Sequence, residues 1–212
     1  MLNEKPREAL SYFLKAEKIA PEDPDVQHEL ALVYQKIKEP EIAFDHFKEA
    51  IKLKPDFPEA YNNMGILYSQ QGKLKEALEC FNKAINNLLY LTPHFAYHNI
   101  GLVYYKEKEI EKAIEFYKKS IELAPDYTPA YYDLGMAYES LGKYDYAEAI
   151  YKNVIKVVPT SLTPYLLLAK LYKNTGRMNE SIEKLKYIIG TDPRSPYAKD
   201  AMKILESIQR SE

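Results

Sequence analysis

The sequence predicts an all-α protein, a solenoid of antiparallel helix pairs stacked in a row. Three observations predict it. An octet recurs as "QHELALVY", "YNNMGILY", "YHNIGLVY", "YYDLGMAY" and "YLLLAKLY", and its small residues (Ala31, Gly65, Gly101, Gly135, Ala169) lie 34, 36, 34 and 34 residues apart. A second small residue follows twelve positions later each time, at Ala43, Ala77, Ala113, Ala147 and Ser181. Prolines close the units at Pro55, Pro125, Pro159 and Pro193. A fixed period of this length means repeated supersecondary units, each too greasy to be stable without neighbours.

The elements follow in order. Residues 1–23 contain "KPREALSYFLKAEKIA", which spaces Ala9, Phe13 and Ala16 like the second helix of a unit whose first helix is missing, as at a truncated end. Five full repeats are expected at 24–57, 58–93, 94–127, 128–161 and 162–195. Residues 196–212 read as one more helix with a polar outer side, suited to capping the stack. The beat is late once. Leu89 stands where the unit beginning at Pro58 should close with proline, and two extra residues follow. The inserted stretch is apolar, Leu88, Leu89, Tyr90 and Leu91, and either packs across a helix end or docks a partner. Thr92 suits an N-cap and Pro93 a first helical turn.

A 34-residue period with small residues at positions 8 and 20 and proline near 32 resembles the tetratricopeptide repeat. The resemblance covers nearly the whole chain and implies a right-handed α-solenoid, the superhelix of that family, as a single domain over residues 1–212. Glycine inside a helix costs about 1 kcal/mol against alanine. Gly65, Gly101 and Gly135 therefore need a compensating close approach between the two helices of a unit, Gly65 against Ala77 for instance. The tyrosines fit the same scheme. Position 4 holds Tyr61, Tyr97, Tyr131 and Tyr165, and position 11 holds Tyr34, Tyr68, Tyr104, Tyr138 and Tyr172, so nine of the 20 are packing residues.

Composition excludes several function classes. Lys plus Arg (29) nearly balances Asp plus Glu (31), so no basic groove invites nucleic acid. No apolar run is long enough to span a bilayer, and "MLNEKPREAL" has no signal-peptide core. Cys80 is the only cysteine and has no internal disulfide partner. His94 and His98 lie four apart, but spacing supplies no third ligand, so no metal is expected. There is no Ser-His-Asp pattern, phosphate loop, CxxC or HExxH. The expectation is a non-enzyme without a cofactor.

In the tetratricopeptide family, positions 2, 5, 6, 9 and 12 of each first helix line the concave groove. Here that face offers Asn62, Asn63 and Ile66 in one repeat, and Phe95, His98, Asn99, Leu102 and Tyr105 in the next. It continues with Tyr132, Asp133 and Met136, then Leu166. The apolar members form a strip where a solvated face would be polar. Asn63, Asn99 and Asp133 recur at one position, a ladder able to hydrogen-bond an extended backbone. The family's clamp for carboxylate-terminated chaperone tails needs lysine or arginine where this chain has Glu59, Asn62, Asn63, Phe95, His98 and Asn99, so that ligand is not expected.

The stretches "LALVYQKIKEPEIAFDHFKEAIKLKPDFPEAYNNMG" and "CFNKAINNLLYLTPHFAYHNIGLVYYKEKEIEKAI" resemble the outer-membrane lipoproteins that assist type IV pilus biogenesis, the pilotins of the secretin. In that family paired asparagines precede a repeat glycine, and an irregular connector leads to the next "N-x-G". The matching residues are Asn62, Asn63 and Gly65, then Leu88 to Pro93, then Asn99 and Gly101. Leu91 replaces a connector proline, and Ser69 and Val103 stand where relatives often have cysteines. The resemblance implies a lipidated cysteine and a first repeat helix ahead of residue 1. It also implies a location on the periplasmic side of the outer membrane, and a secretin segment as partner. The alternative is a cytoplasmic adaptor of the same fold that gathers protein partners for another complex.

Overall fold

The computed structural model describes residues 6–210, and among these every regular element is an α-helix. Contacts divide the chain into two compact units, Met1–Glu107 and Lys108–Glu212. The first unit contains α1 (Pro6–Ile19), α2 (Pro24–Lys36), α3 (Pro40–Leu53), α4 (Pro58–Gln70), α5 (Leu74–Ile85) and α6 (Pro93–Lys106). The second contains α7 (Ile110–Leu123), α8 (Thr128–Ser140), α9 (Tyr144–Val157), α10 (Thr163–Asn174), α11 (Met178–Thr191) and α12 (Pro196–Gln209). Within each unit, helices adjacent in sequence pack against one another, α2 on α3 and α4 on α5 in the first, α8 on α9 and α10 on α11 in the second.

Start and stop signals explain the regular lengths. Proline occupies the first helical turn of α2, α3, α4, α6, α8, α10 and α12, where its missing N–H has no partner to lose. The hairpin turns keep the same beat as the octets. Lys38, Gly72, Lys108, Gly142 and Gly176 all have φ between 64° and 78°, the left-handed region. The next N–H closes back on a position-11 tyrosine carbonyl, Glu39 to Tyr34, Lys73 to Tyr68, Lys143 to Tyr138 and Arg177 to Tyr172, at 2.8–2.9 Å. This is the Schellman closure. At Lys38 and Lys108 a side chain is held where glycine is at ease. Thr92 takes the N-cap position of α6 but caps no amide. Its side chain pairs instead with Tyr90.

The small residues do what the repeat requires, and an aromatic ring makes the nearest approach to them. A Cβ at Gly65 would meet the Phe81 ring at 2.7 Å, and one at Gly135 would meet the Tyr151 ring at 2.3 Å. The glycines therefore admit an aromatic ring from position 24, Phe81 at Gly65 and Tyr151 at Gly135. In the last full repeat the position-8 and position-20 residues do meet, where Ser181 Oγ donates to the Ala169 carbonyl at 2.7 Å. Around these contacts lie the cores. In the first unit Phe47, Phe57, Leu67 and Met64 surround Ala31, Ala43, Ala50 and Ala60. In the second, Leu166, Leu185, Ile188 and Ile208 surround Ala169 and Ala201. α1 contributes no buried residue, and Tyr12 and Ile19 on it are exposed.

One ionic cluster ties α9, α10 and α11 together. Glu148 on α9 accepts from Tyr172 Oη on α10 at 2.9 Å, from Lys152, and from Arg177 at the start of α11. Arg177 also pairs with Glu180 and lies 4.2 Å above the Tyr172 ring. The Arg177 guanidinium foremost holds the Glu148 carboxyl down at about 2. A lowered carboxylate contributes its stability above the ordinary pKa and loses it as pH falls toward the folded value.

Gly135→Ala and Gly190→Ala separate the two meanings of a helical glycine. Gly190 in α11 has nothing within 4 Å of an added Cβ. We expect Gly190→Ala to stabilise the protein by about 0.5–1 kcal/mol through helix propensity. Gly135→Ala forces Tyr151 out of its seat and should cost about 1–3 kcal/mol despite the same propensity gain. Urea unfolding of the two variants checks the opposite signs.

Candidate partner-binding groove

In the first unit the groove candidates lie on the first helices of successive hairpins, α4 and α6, alongside α2. Their polar members are joined to each other. Asn63 Nδ2 on α4 donates to His28 Nε2 on α2 at 3.0 Å, and Asn99 Nδ2 on α6 donates to Asn62 Oδ1 on α4 at 3.0 Å. One rule describes both bonds. Position 5 of a repeat accepts from position 6 of the next, 35 and 37 residues on. Lys106 Nζ on α6 adds a third link to Ser69 Oγ on α4 at 2.9 Å.

Burial sorts the candidates. Asn62 and His98 are only 6% and 7% exposed, so they sit beneath the face rather than on it. Asn63, Ile66, Asn99, Leu102 and Tyr105 are partly exposed, and Phe95 is exposed. The asparagines expected as a ladder for a guest backbone thus spend hydrogen-bonding capacity holding α2, α4 and α6 in register. What the face presents beyond them is mostly side-chain carbon.

In the second unit Tyr132 and Asp133 on α8 are partly exposed and Met136 is exposed. Tyr132 Oη pairs with Ser161 Oγ at 3.2 Å. Leu166 on α10, expected on the open face, is 7% exposed and belongs to the core with Ala169 and Leu185. The leucine is core because α12 packs against the same hairpin. Here too repeat equivalents are bonded, Lys173 Nζ to Ser207 Oγ at 2.8 Å and Thr163 Oγ1 to Tyr197 Oη at 3.1 Å.

The inserted connector resolves into two parts. Tyr90 is buried with Ala84 and Ala96, against Tyr61 and Ile85, and burial pushes its hydroxyl up to about 12. Leu88, Leu89 and Leu91 stand out in solvent. Of the four, only the tyrosine packs inward. Leu88 and Leu89 also edge a cleft of about 470 Å³ lined by Pro55, Phe57, Tyr61 and Lys83.

His28 is the group whose chemistry the fold alters most in this unit. It lies between Phe47 and Phe57, with ring centroids at 5.7 and 4.9 Å. Burial lowers its pKa to about 4, with Asp25 opposing and Lys54 assisting. The neutral ring accepts from Asn63 at Nε2, so its proton sits on Nδ1. Cys80 is buried and its thiol is pushed up to about 11 by that burial, which makes it a poor nucleophile. The His94 and Phe95 rings are tilted at 42° with centroids 4.1 Å apart, and among the described residues no group of three or more His, Cys, Asp or Glu is placed to hold a metal ion.

Stacked helix hairpins that join equivalent positions one period apart define a helical-repeat interaction protein. Family models described as tetratricopeptide repeat match residues 24–57, 58–86, 94–127, 116–149 and 162–193, together more than half of the chain. The chain belongs to the tetratricopeptide repeat family. No curated protein matches the sequence. Among solved structures, PilW, described as a widely conserved type IV pilus biogenesis factor, is similar at 25% identity and TM-score 0.84, over 93% of this chain and 90% of that one. The pilF protein of Pseudomonas aeruginosa is similar at 21% identity and TM-score 0.76, over 93% and 89%. YrrB, described as a tetratricopeptide protein with an unusual peptide-binding site, is similar at 23% identity and TM-score 0.63, over 92% and 100%.

The buried histidine makes stability depend on pH in a defined direction. Its folded pKa lies below the ordinary 6.5, so the unfolded chain takes up the proton first. The contribution is complete above pH 6.5 and disappears as pH falls toward 4. His46, whose pKa burial also lowers, adds the same sign. We expect the first unit to lose on the order of 3 kcal/mol from His28 alone between pH 7 and 4. Denaturant midpoints across that range should flatten in His28→Gln relative to the parent.

Proposed function

We propose that this protein is a non-catalytic scaffold that assists assembly of the type IV pilus secretin. It holds a segment of the secretin subunit against the exposed first-helix faces. The observation that carries this reading is the end-to-end likeness to PilW, at the highest TM-score and identity among the structures compared above. The chain's own chemistry is consistent with holding rather than reacting. Its cysteine is buried with a raised pKa, and the face of α4 and α6 presents Ile66, Leu102 and Tyr105 above an internally bonded polar layer. On this reading the protein works at the periplasmic side of the outer membrane.

Deleting the gene should abolish pilus-dependent motility and leave secretin subunits unassembled. Normal secretin multimers in the deletion strain would overturn the pilus role and leave the alternative, a cytoplasmic adaptor for another complex. The groove is tested separately. Leu102→Glu and Tyr132→Glu should each reduce secretin capture from envelope extract at least tenfold, with helicity by circular dichroism unchanged. Variants that lose helicity would instead assign those side chains to the core.

A further inference from the structure

The connector between α5 and α6 carries a feature that the groove does not use. Leu88 is 100%, Leu91 89% and Leu89 82% exposed, the first, second and fourth most exposed large hydrophobic side chains among the described residues. The loop that bears them is well tethered. Asn87 Nδ2 donates to the Asp56 carbonyl at 3.4 Å, Asn87 Oδ1 accepts from the Leu89 amide at 2.9 Å, and the Tyr90 amide closes on the Asn87 carbonyl at 3.1 Å. The buried Tyr90 ring pins the turn from below. The backbone that bears the three leucines is thus held by hydrogen bonds, so ordering the loop on binding costs little.

The surroundings say what kind of phase fits them. Residues 84–105 contain no Asp, Glu, Lys or Arg, in a chain that is 28% charged. Asn86, Asn87 and Thr92 flank the leucines in the chain as uncharged polar residues, and the adjoining cleft carries one charge of each sign, Asp56 and Lys83. An apolar tip above a polar base of no net charge matches the polarity gradient at a membrane–water interface. The geometry speaks against a rigid protein partner or a second copy as the sole occupant. Three leucines cover a few hundred Å², short of the roughly 800 Å² per partner that a stable protein interface buries. Nearly complete exposure also means that the side chains protrude from the surface, and fluid hydrocarbon accepts that shape without a matched pocket.

We propose that Leu88, Leu89 and Leu91 form a wedge that dips into the outer part of a lipid bilayer. The three side chains carry about twelve carbons, close to one myristoyl chain, so binding should be reversible, with an association constant on the order of 10⁴ M⁻¹. Lipid attraction here is hydrophobic, and it does not depend on the pilus reading.

The chain has no tryptophan, which makes Leu89→Trp a single fluorescent reporter. With phosphatidylcholine vesicles its emission should shift to the blue and be quenched by lipids brominated near the headgroup end of the chains. In vesicle flotation the parent protein should co-float, and Leu88→Ser/Leu89→Ser/Leu91→Ser should lose at least tenfold in partitioning with unchanged circular dichroism. The proposal is overturned if the parent fails to float or if the triple variant floats equally. It is also overturned if sedimentation shows a parent dimer that the triple variant converts to monomer, which would assign the leucines to a second copy.

Discussion

A glycine facing an aromatic ring sets the spacing on which everything else depends. Phe81 at Gly65 and Tyr151 at Gly135 sit so close to the helix backbone that no Cβ fits between. That approach brings the two helices of a hairpin together and buries the ring fully. Tyr151 turns its hydroxyl to Glu139 at 2.6 Å, so even the polar end of a buried ring is satisfied. Within each unit the hairpins so formed pack on their neighbours in sequence, α5 against α6 in the first and α9 against α10 in the second.

Polar side chains add direction to the packing between neighbouring hairpins. His28 with Asn63, and Asn62 with Asn99, are directional contacts made only when equivalent positions lie opposite. The Glu148, Tyr172 and Arg177 cluster does comparable work in the second unit, across three helices. Each polar group buried on the way is partnered: among the described residues no buried side-chain nitrogen or oxygen lacks a hydrogen bond.

Much of the fold was legible in the sequence because its signals are periodic. The octets place α4, α6, α8 and α10, prolines mark most helix starts, and the late beat falls where the chain runs irregularly from Asn87 to Thr92. The candidate groove was less legible. Periodicity assigns a residue to a face of a helix, but not how deep that face lies. Asn62 and His98 fall on the expected face yet are covered, and Leu166 is drawn into the core where α12 adds a neighbour. Asn63 and Asn99 read equally well as ligand donors or as rungs between helices; only the His28 and Asn62 acceptors decide between these. The apolar connector shows the same limit, since nothing in the order Leu-Leu-Tyr-Leu says that the tyrosine alone turns inward.

Because stacked units support one another only through neighbours, the shallow burial of α1 has a kinetic consequence. With no buried side chain of its own, α1 can peel away while α2 and α3 keep their packing around Phe47. Its amides should trade hydrogen for deuterium by local fraying, far faster than those beside the rings of Phe81 and Tyr151.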